Sequence, residues 1–136
     1  MQRRHLLLSA PALFWATQLQ ADDRTFYTPG MAEKAMAEGE VVILDFWASW
    51  CSTCVAQERV IAKLMAENPD YGRKVRFIVV DWDQYGDGEL SRALGIPRRS
   101  TLVALKGNRE IGRIVAGTGK AEIKSLFDAA VAAAEG

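Results

Sequence analysis

The chain holds two cysteines, Cys51 and Cys54, in the stretch WASWCSTCVAQERV. Ser52 and Thr53 separate them, and a helix-like run follows. If Cys51 stands where a strand gives way to that helix, its sulfur faces unpaired backbone N–H groups and the positive end of the helix dipole. Both favour thiolate over thiol, and thiolate is the nucleophile. Cys54 then lies one turn further on, within reach for a small disulfide ring. A mixed disulfide formed at Cys51 can be resolved by Cys54 inside the same molecule. Two other uses compete. A self-contained zinc site wants four N or S ligands, and the chain offers two cysteines and a single histidine, His5. A structural disulfide across so short a loop would constrain the unfolded chain little.

A carboxylate accompanies the pair. Asp45 sits inside the apolar run VVILDFWA. A buried carboxylate is costly unless neutralised or paired, and burial raises its pKa toward the working pH, which suits it to proton transfer. The competing placement is a strand-end aspartate with a solvated head.

These residues need elements to position them. VVILDFWA reads as a strand covered on both faces. After the cysteines, Cys54, Val55, Glu58, Ile61, Ala62 and Met65 recur at helical spacing, and the helix should end before Pro69. MAEKAMAEG upstream predicts a short helix stopped by Gly39, and residues 22–29 a lead-in with a Pro29–Gly30 turn. KVRFIVVDWD predicts a second buried strand and DGELSRALG a short helix. STLVALKG and REIGRIVAG predict a hairpin around Gly107–Asn108. KAEIKSLFDAAVAAA closes the chain as an amphipathic helix with Ile123, Leu126, Phe127, Ala130 and Val131 on one face. This order predicts an α/β domain over residues 22–136, a central mixed β-sheet flanked by helices on both faces.

Residues 1–21 read differently. MQRRH is a basic start, LLLSAPALFWATQ an apolar stretch, and LQA ends on a small residue before Asp22. That layout predicts a secretory signal peptide, and the run is too short and broken for a good membrane span. Arg3–Arg4 also resembles a twin-arginine export signal, with an ordinary Sec signal the other route. The alternative is the frayed N-terminal helix of a cytosolic protein. The formal net charge is zero over 136 residues, so no global field draws in nucleic acid or an anionic membrane. Cleavage after Ala21 would remove His5, leaving no imidazole for catalysis or metal.

The motif VVILDFWASWCSTC resembles the active-site segment of the thioredoxin family, DFWAxWCxxC. The resemblance continues through VDWDQ and resumes at STLVALKGNREIGRIVAG, so it covers nearly all of residues 22–136. It implies the thioredoxin fold and a protein disulfide oxidoreductase with a redox-active centre. Periplasmic members, and the soluble domain of the transmembrane disulfide reductase, are the most similar subgroups. By resemblance Cys51 attacks, Cys54 resolves, and the two form a disulfide on oxidation. Asp45 accepts the proton of the resolving thiol, Trp50 shields the dithiol and Trp47 packs beneath it. Trp50, Arg99, Ser100 and Gly117 are implied as substrate-binding.

The chain departs from the family at three places. Ser52–Thr53 replaces the frequent Gly-Pro between the cysteines, bringing hydroxyls that would donate to the Cys51 thiolate. The family's cis-proline has two candidate positions, Pro97 and, counting back from TLVALKG without gaps, Ser100. The second register is preferred. A serine there would hold a cis bond at a cost of about 3–4 kcal/mol or relax to trans. Arg98 and Arg99 would then border the groove and favour acidic partner segments. Finally, Val79 stands where a lysine often pairs with the family's buried carboxylate, which should leave the Asp45 pKa high through desolvation.

The expected function is thiol–disulfide exchange with protein disulfides in the periplasm, by a monomer fed by a membrane electron-donor reductase. No cofactor, no metal, no nucleic acid and no stable membrane insertion after signal cleavage are expected. A second reading from another class is a dimeric metal carrier, in which two monomers share a [2Fe–2S] cluster through Cys51 and Cys54 of each.

Overall fold

The computed structural model describes residues 24–136. The leader assigned to residues 1–21 lies outside the described residues.

The apolar run forms strand β1 (Val41–Trp47), buried along all but its last residue. It is the second of four strands in the order β2-β1-β3-β4. β2 (Arg76–Asp81) runs parallel to β1, with Asp45 opposite Val79. β3 (Thr101–Lys106) runs antiparallel to β1 and is joined to β4 (Arg109–Val115) by the Gly107–Asn108 turn. Gly107 has φ 58, a left-handed backbone that glycine adopts without a Cβ penalty.

Successive side chains of a strand point to opposite faces, so β1 feeds two cores. Val42, Leu44 and Phe46 pack with Val80 and Val103 against Ala32 and Ala35 of helix α1 (Met31–Ala37). Leu90 of α5 (Glu89–Ala93) closes the same core. Val41 and Ile43 join Leu102 and Ala104 on the other face, under α2 (Ser52–Glu67), α3 (Asp70–Arg73) and α6 (Lys120–Glu135). Ile123, Leu126, Phe127 and Ala130 of α6 are buried there. The Phe127 ring lies 5.4 Å from Tyr71 and 6.1 Å from Phe77. The mixed sheet with helices on both faces is the architecture expected from the sequence.

Several local readings need correction. The predicted second strand, residues 74–83, is shorter. It gives way at Trp82 to a one-turn helix α4 (Trp82–Tyr85), because the Asp81 side chain caps it by accepting from the Asp83 N–H at 3.0 Å. The turn after Pro69 is helical as α3. The buried stripe of α2 is Cys54, Gln57, Ile61 and Leu64, whereas Val55 and Ala62 are exposed. The lead-in also adds to the sheet edge. Tyr27 N–H donates to Val79 O, and Val79 N–H donates to Thr25 O, both at 2.8 Å.

Candidate active site

Strand β1 ends at Trp47, and a short turn sets Cys51 as the N-cap of α2, in extended conformation at φ −92, ψ 109. Its sulfur accepts the Cys54 N–H at 3.2 Å, one of the donors a helix start leaves without an intrahelical partner. Both cysteines are free and nearly buried, packed with Ala48, Trp47 and Trp82.

Ser100 faces them from the loop before β3. Its Oγ lies 3.0 Å from Cys51 Sγ and 3.1 Å from Cys54 Sγ. Of the two candidates for the wall opposite the dithiol, Ser100 therefore occupies it; Pro97 is exposed. All peptides of the described residues are trans. Ser100 instead holds a left-handed backbone at φ 64, and Ala116 opposite it holds φ 63. Each costs a non-glycine residue about 1–2 kcal/mol and persists because neighbours fix it. Ser100 N–H donates to Phe46 O at 2.6 Å, and Ala116 N–H donates to Ser100 O at 2.9 Å. Gln57, fully buried on α2, donates from Nε2 to Ser100 O and to Gly117 O, each at 2.9 Å. The hydroxyl that reaches Cys51 is thus Ser100's. Ser52, expected in that role, is exposed.

These contacts separate the two thiols. Burial pushes the Cys51 thiol up, but hydrogen bonds from the Cys54 thiol, the Ser100 hydroxyl, the Cys54 N–H and the Arg99 side chain outweigh it and leave Cys51 below the ordinary thiol range. Cys54 is pushed above that range by burial, and further by sharing its proton with Cys51. The pair therefore loses its first proton at Cys51.

Asp45 is 1% exposed on the face of β1 that α2 covers, and its Oδ1 has no hydrogen-bond partner among the described residues. Burial raises its pKa to about 7, aided by the negative charges of Glu58 and Cys51 and opposed by Arg24. The neighbouring strand offers it only Val79. A cation arrives by another route. Arg24 of the lead-in ion-pairs with Glu58 of α2 and lies over the rings of Trp47 at 4.7 Å and Phe26 at 5.1 Å. Asp45, Arg24 and Glu58 line a groove of about 520 Å³ with Ile61, Met65 and Phe77.

At the rim, Trp50 is 59% exposed and fixed from both sides. Its Nε1 donates to the Asp83 carboxylate at 2.9 and 3.0 Å, and the Arg99 guanidinium sits 4.4 Å from the ring centroid. Trp47 lies beneath the dithiol. Arg98 is half-buried and donates from Nε to Arg99 O at 3.0 Å. Gly117 meets the site through Gln57, its carbonyl turned inward. A Cβ there would collide with the Glu122 carboxylate.

Sequence reasoning missed Gln57, Arg24 and Asp83 in these roles, and read Glu58 only as a helix-face residue. Glu58 had a signal, since it lies one helical turn beyond Cys54. Gln57 had none, because a lone glutamine in a helix reads as solvent-facing.

The comparisons agree with this geometry. The thioredoxin family model matches residues 27–129. Thioredoxin H2-1 of Oryza sativa subsp. japonica is 34% identical over 89 residues, 65% of this chain and 59% of its own length. Thioredoxin-1 of Saccharomyces cerevisiae is 28% identical over 104 residues, 76% of this chain and 94% of its own. The chain thus spans about three-fifths of the rice protein and nearly all of the yeast one. The solved thioredoxin of Malassezia sympodialis superposes with a TM-score of 0.67 at 24% identity, over 79% of this chain and 92% of that one. The oxidised mitochondrial thioredoxin 3 of S. cerevisiae gives 0.61 at 25%, over 77% and 94%. A helix-capping cysteine, its partner one turn on and a buried carboxylate on the adjoining strand occur here in a chain that belongs to the thioredoxin family of thiol–disulfide oxidoreductases.

Proposed function

We propose that this protein is an exported dithiol reductant that exchanges electrons with protein disulfides in the periplasm. The observation that carries the reading is the unequal pair. Cys51 is ready to ionise at the mouth of α2, and Cys54 holds its proton beside it. The Cys51 thiolate attacks one sulfur of the substrate disulfide. A bond forms between Cys51 and that sulfur, and the other substrate sulfur leaves as a thiolate that takes a proton from solvent. Cys54 then gives its proton to the Asp45 carboxylate, attacks Cys51 Sγ and releases the second substrate thiolate. Two electrons pass from the cysteine pair to the substrate, and a Cys51–Cys54 disulfide remains. The sulfurs carry both electrons, and Asp45 and solvent carry the protons, so this half of the cycle needs no cofactor.

The basic start and apolar stretch of residues 1–21 support export. In an oxidising compartment a reductant must be recharged, and a membrane protein of the disulfide-reductase type would do so. Arg99 at the Trp50 rim, with Arg98 behind it, favours substrates with acidic segments near the disulfide. A Cys54→Ser variant expressed in the native periplasm should accumulate mixed disulfides at Cys51, identifiable by mass spectrometry. Capture of nothing there, or retention of the chain in the cytoplasm, contradicts the reading. Purified anaerobically, the protein should be colourless and reduce insulin. A brown, dimeric protein without that activity would favour the shared-cluster carrier.

A further inference from the structure

We propose that Ser100 is a catalytic residue whose hydroxyl serves the two sulfurs in turn, donating to the Cys51 thiolate before attack and to the Cys54 thiolate during resolution. This rests on the dithiol exchange described above and adds a group to it.

The geometry carries the inference. Ser100 Oγ sits 3.0 Å from one sulfur and 3.1 Å from the other, so it reaches both without moving. A hydroxyl has one hydrogen and donates to one acceptor at a time. Turning that hydrogen about the Cβ–Oγ bond changes its acceptor and leaves the heavy atoms in place. The residue is fully buried, so no water competes for the donor. Its backbone is held from three directions, by Phe46 O, Ala116 N–H and Gln57 Nε2, with Gln57 fixed in turn by Gly117 O. The left-handed backbone at φ 64 is one that glycine takes without strain. A side chain stands there nonetheless, with its single polar atom between the sulfurs.

The two steps need a donor at different places. While Cys51 is a thiolate, its sulfur accepts from the Cys54 N–H and lies within reach of the Ser100 hydroxyl, and the Cys54 thiol and Arg99 also favour its charged form. Attack on the substrate turns Cys51 Sγ into a neutral disulfide sulfur and releases the hydroxyl hydrogen from it. Cys54 next becomes the anion when its proton passes to Asp45, and its sulfur is already within reach of Ser100. The hydroxyl keeps its own proton throughout, so the balance of the exchange is unchanged. The other charged groups around the pair are Asp45 of β1, Glu58 of α2, Arg24 of the lead-in and Arg99 of the loop. Arg24 pairs with Glu58, and Asp45 Oδ1 has no hydrogen-bond partner among the described residues.

The test separates the two steps in one trace. Dithiobisnitrobenzoate releases one coloured thiol when Cys51 attacks and a second when Cys54 resolves the adduct. Wild type and the variants Ser100→Ala and Ser100→Gly are compared in stopped flow from acid to alkaline pH. Losing a hydrogen bond to an anion lowers the thiolate population about tenfold. A more basic thiolate is the better nucleophile, which returns roughly half of that on a logarithmic scale. Both phases should therefore slow about threefold at neutral pH in both variants. Above the thiol pKa values they should match or exceed wild type, a crossover that a merely loosened site does not produce. The glycine variant relaxes the left-handed backbone and so keeps the fold if alanine disturbs it. Unchanged phases overturn the proposal, as does a change confined to the first phase. A slow alanine variant beside a wild-type glycine variant also overturns it, by assigning the effect to the backbone. Release of only one coloured thiol by wild type overturns the dithiol reading itself, and the proposal with it.

Discussion

Asp45 is the residue whose surroundings have the largest reach in the acid–base chemistry. Its pKa rises from an ordinary 3.8 to about 7, chiefly because burial disfavours the charged form. Below about pH 4 the folded and unfolded chains both hold this proton. Between there and about 7 only the folded chain keeps it, so the unfolded chain binds fewer protons and stability falls as pH rises. The full cost, ~4 kcal/mol, is present above the folded pKa. Urea denaturation of Asp45→Asn against wild type should show the variant gaining relative stability from about pH 4 to about pH 8, by up to that amount. A pH-independent difference contradicts a buried, titrating carboxylate. In exchange kinetics the same variant should slow resolution by Cys54 more than attack by Cys51. Equal slowing would remove Asp45 from the role of proton acceptor. Arg99 acts on the other sulfur. Arg99→Ala should move ionisation of Cys51 to higher pH, read as thiolate absorbance, because one of the hydrogen bonds that favour the anion is lost. It should also free the Trp50 indole, now held between Arg99 and Asp83, with a change in fluorescence.

Helix α2 does more than carry the cysteines. Its buried stripe includes Gln57, which ties the helix to the carbonyls of Ser100 and Gly117 on two separate loops. Gln57→Leu keeps the volume but leaves both carbonyls with fewer donors. It should cost about 2–3 kcal/mol by urea denaturation and loosen the wall opposite the dithiol. A near-neutral Gln57→Leu would mean that other groups hold those loops. The lead-in and α2 together govern Asp45 through Arg24 and Glu58. Arg24→Met removes a cation and should raise the Asp45 pKa. Glu58→Gln removes an anion and should lower it, so the two shifts have opposite sign in a carboxylate titration followed by infrared or NMR. Shifts of the same sign would contradict direct charge coupling. This level of organisation was hard to read in advance. Strands β1 and β3, the hairpin and α6 announce themselves by apolar pattern, because burial on a regular face leaves a periodic trace. The Asp81 cap that starts α4, and the Arg24–Glu58 pair across 34 positions, leave none. They depend on tertiary approach, not on local spacing.

For the whole molecule, the sheet places β1 between β2 and β3, so the C-terminal end of β1 sets the cysteines beside the loop that bears Ser100. That meeting joins residues 49 positions apart, and it was legible only through the family resemblance, by which counting back from TLVALKG put Ser100, ahead of Pro97, at the family's proline position. The dithiol itself was legible from Cys51, Cys54 and the strand before them, since a thiolate site needs little more than a helix start. The protein's central chemical property is the inequality of two sulfurs that share one hydroxyl. Its most direct measurement is the pH dependence of alkylation at each cysteine of the reduced protein, with iodoacetamide and peptide mass spectrometry. Cys51 should react well below the pH at which an ordinary free thiol does, while Cys54 stays unmodified until clearly higher pH. Two cysteines that titrate together, near the value of a free cysteine in water, would contradict the account.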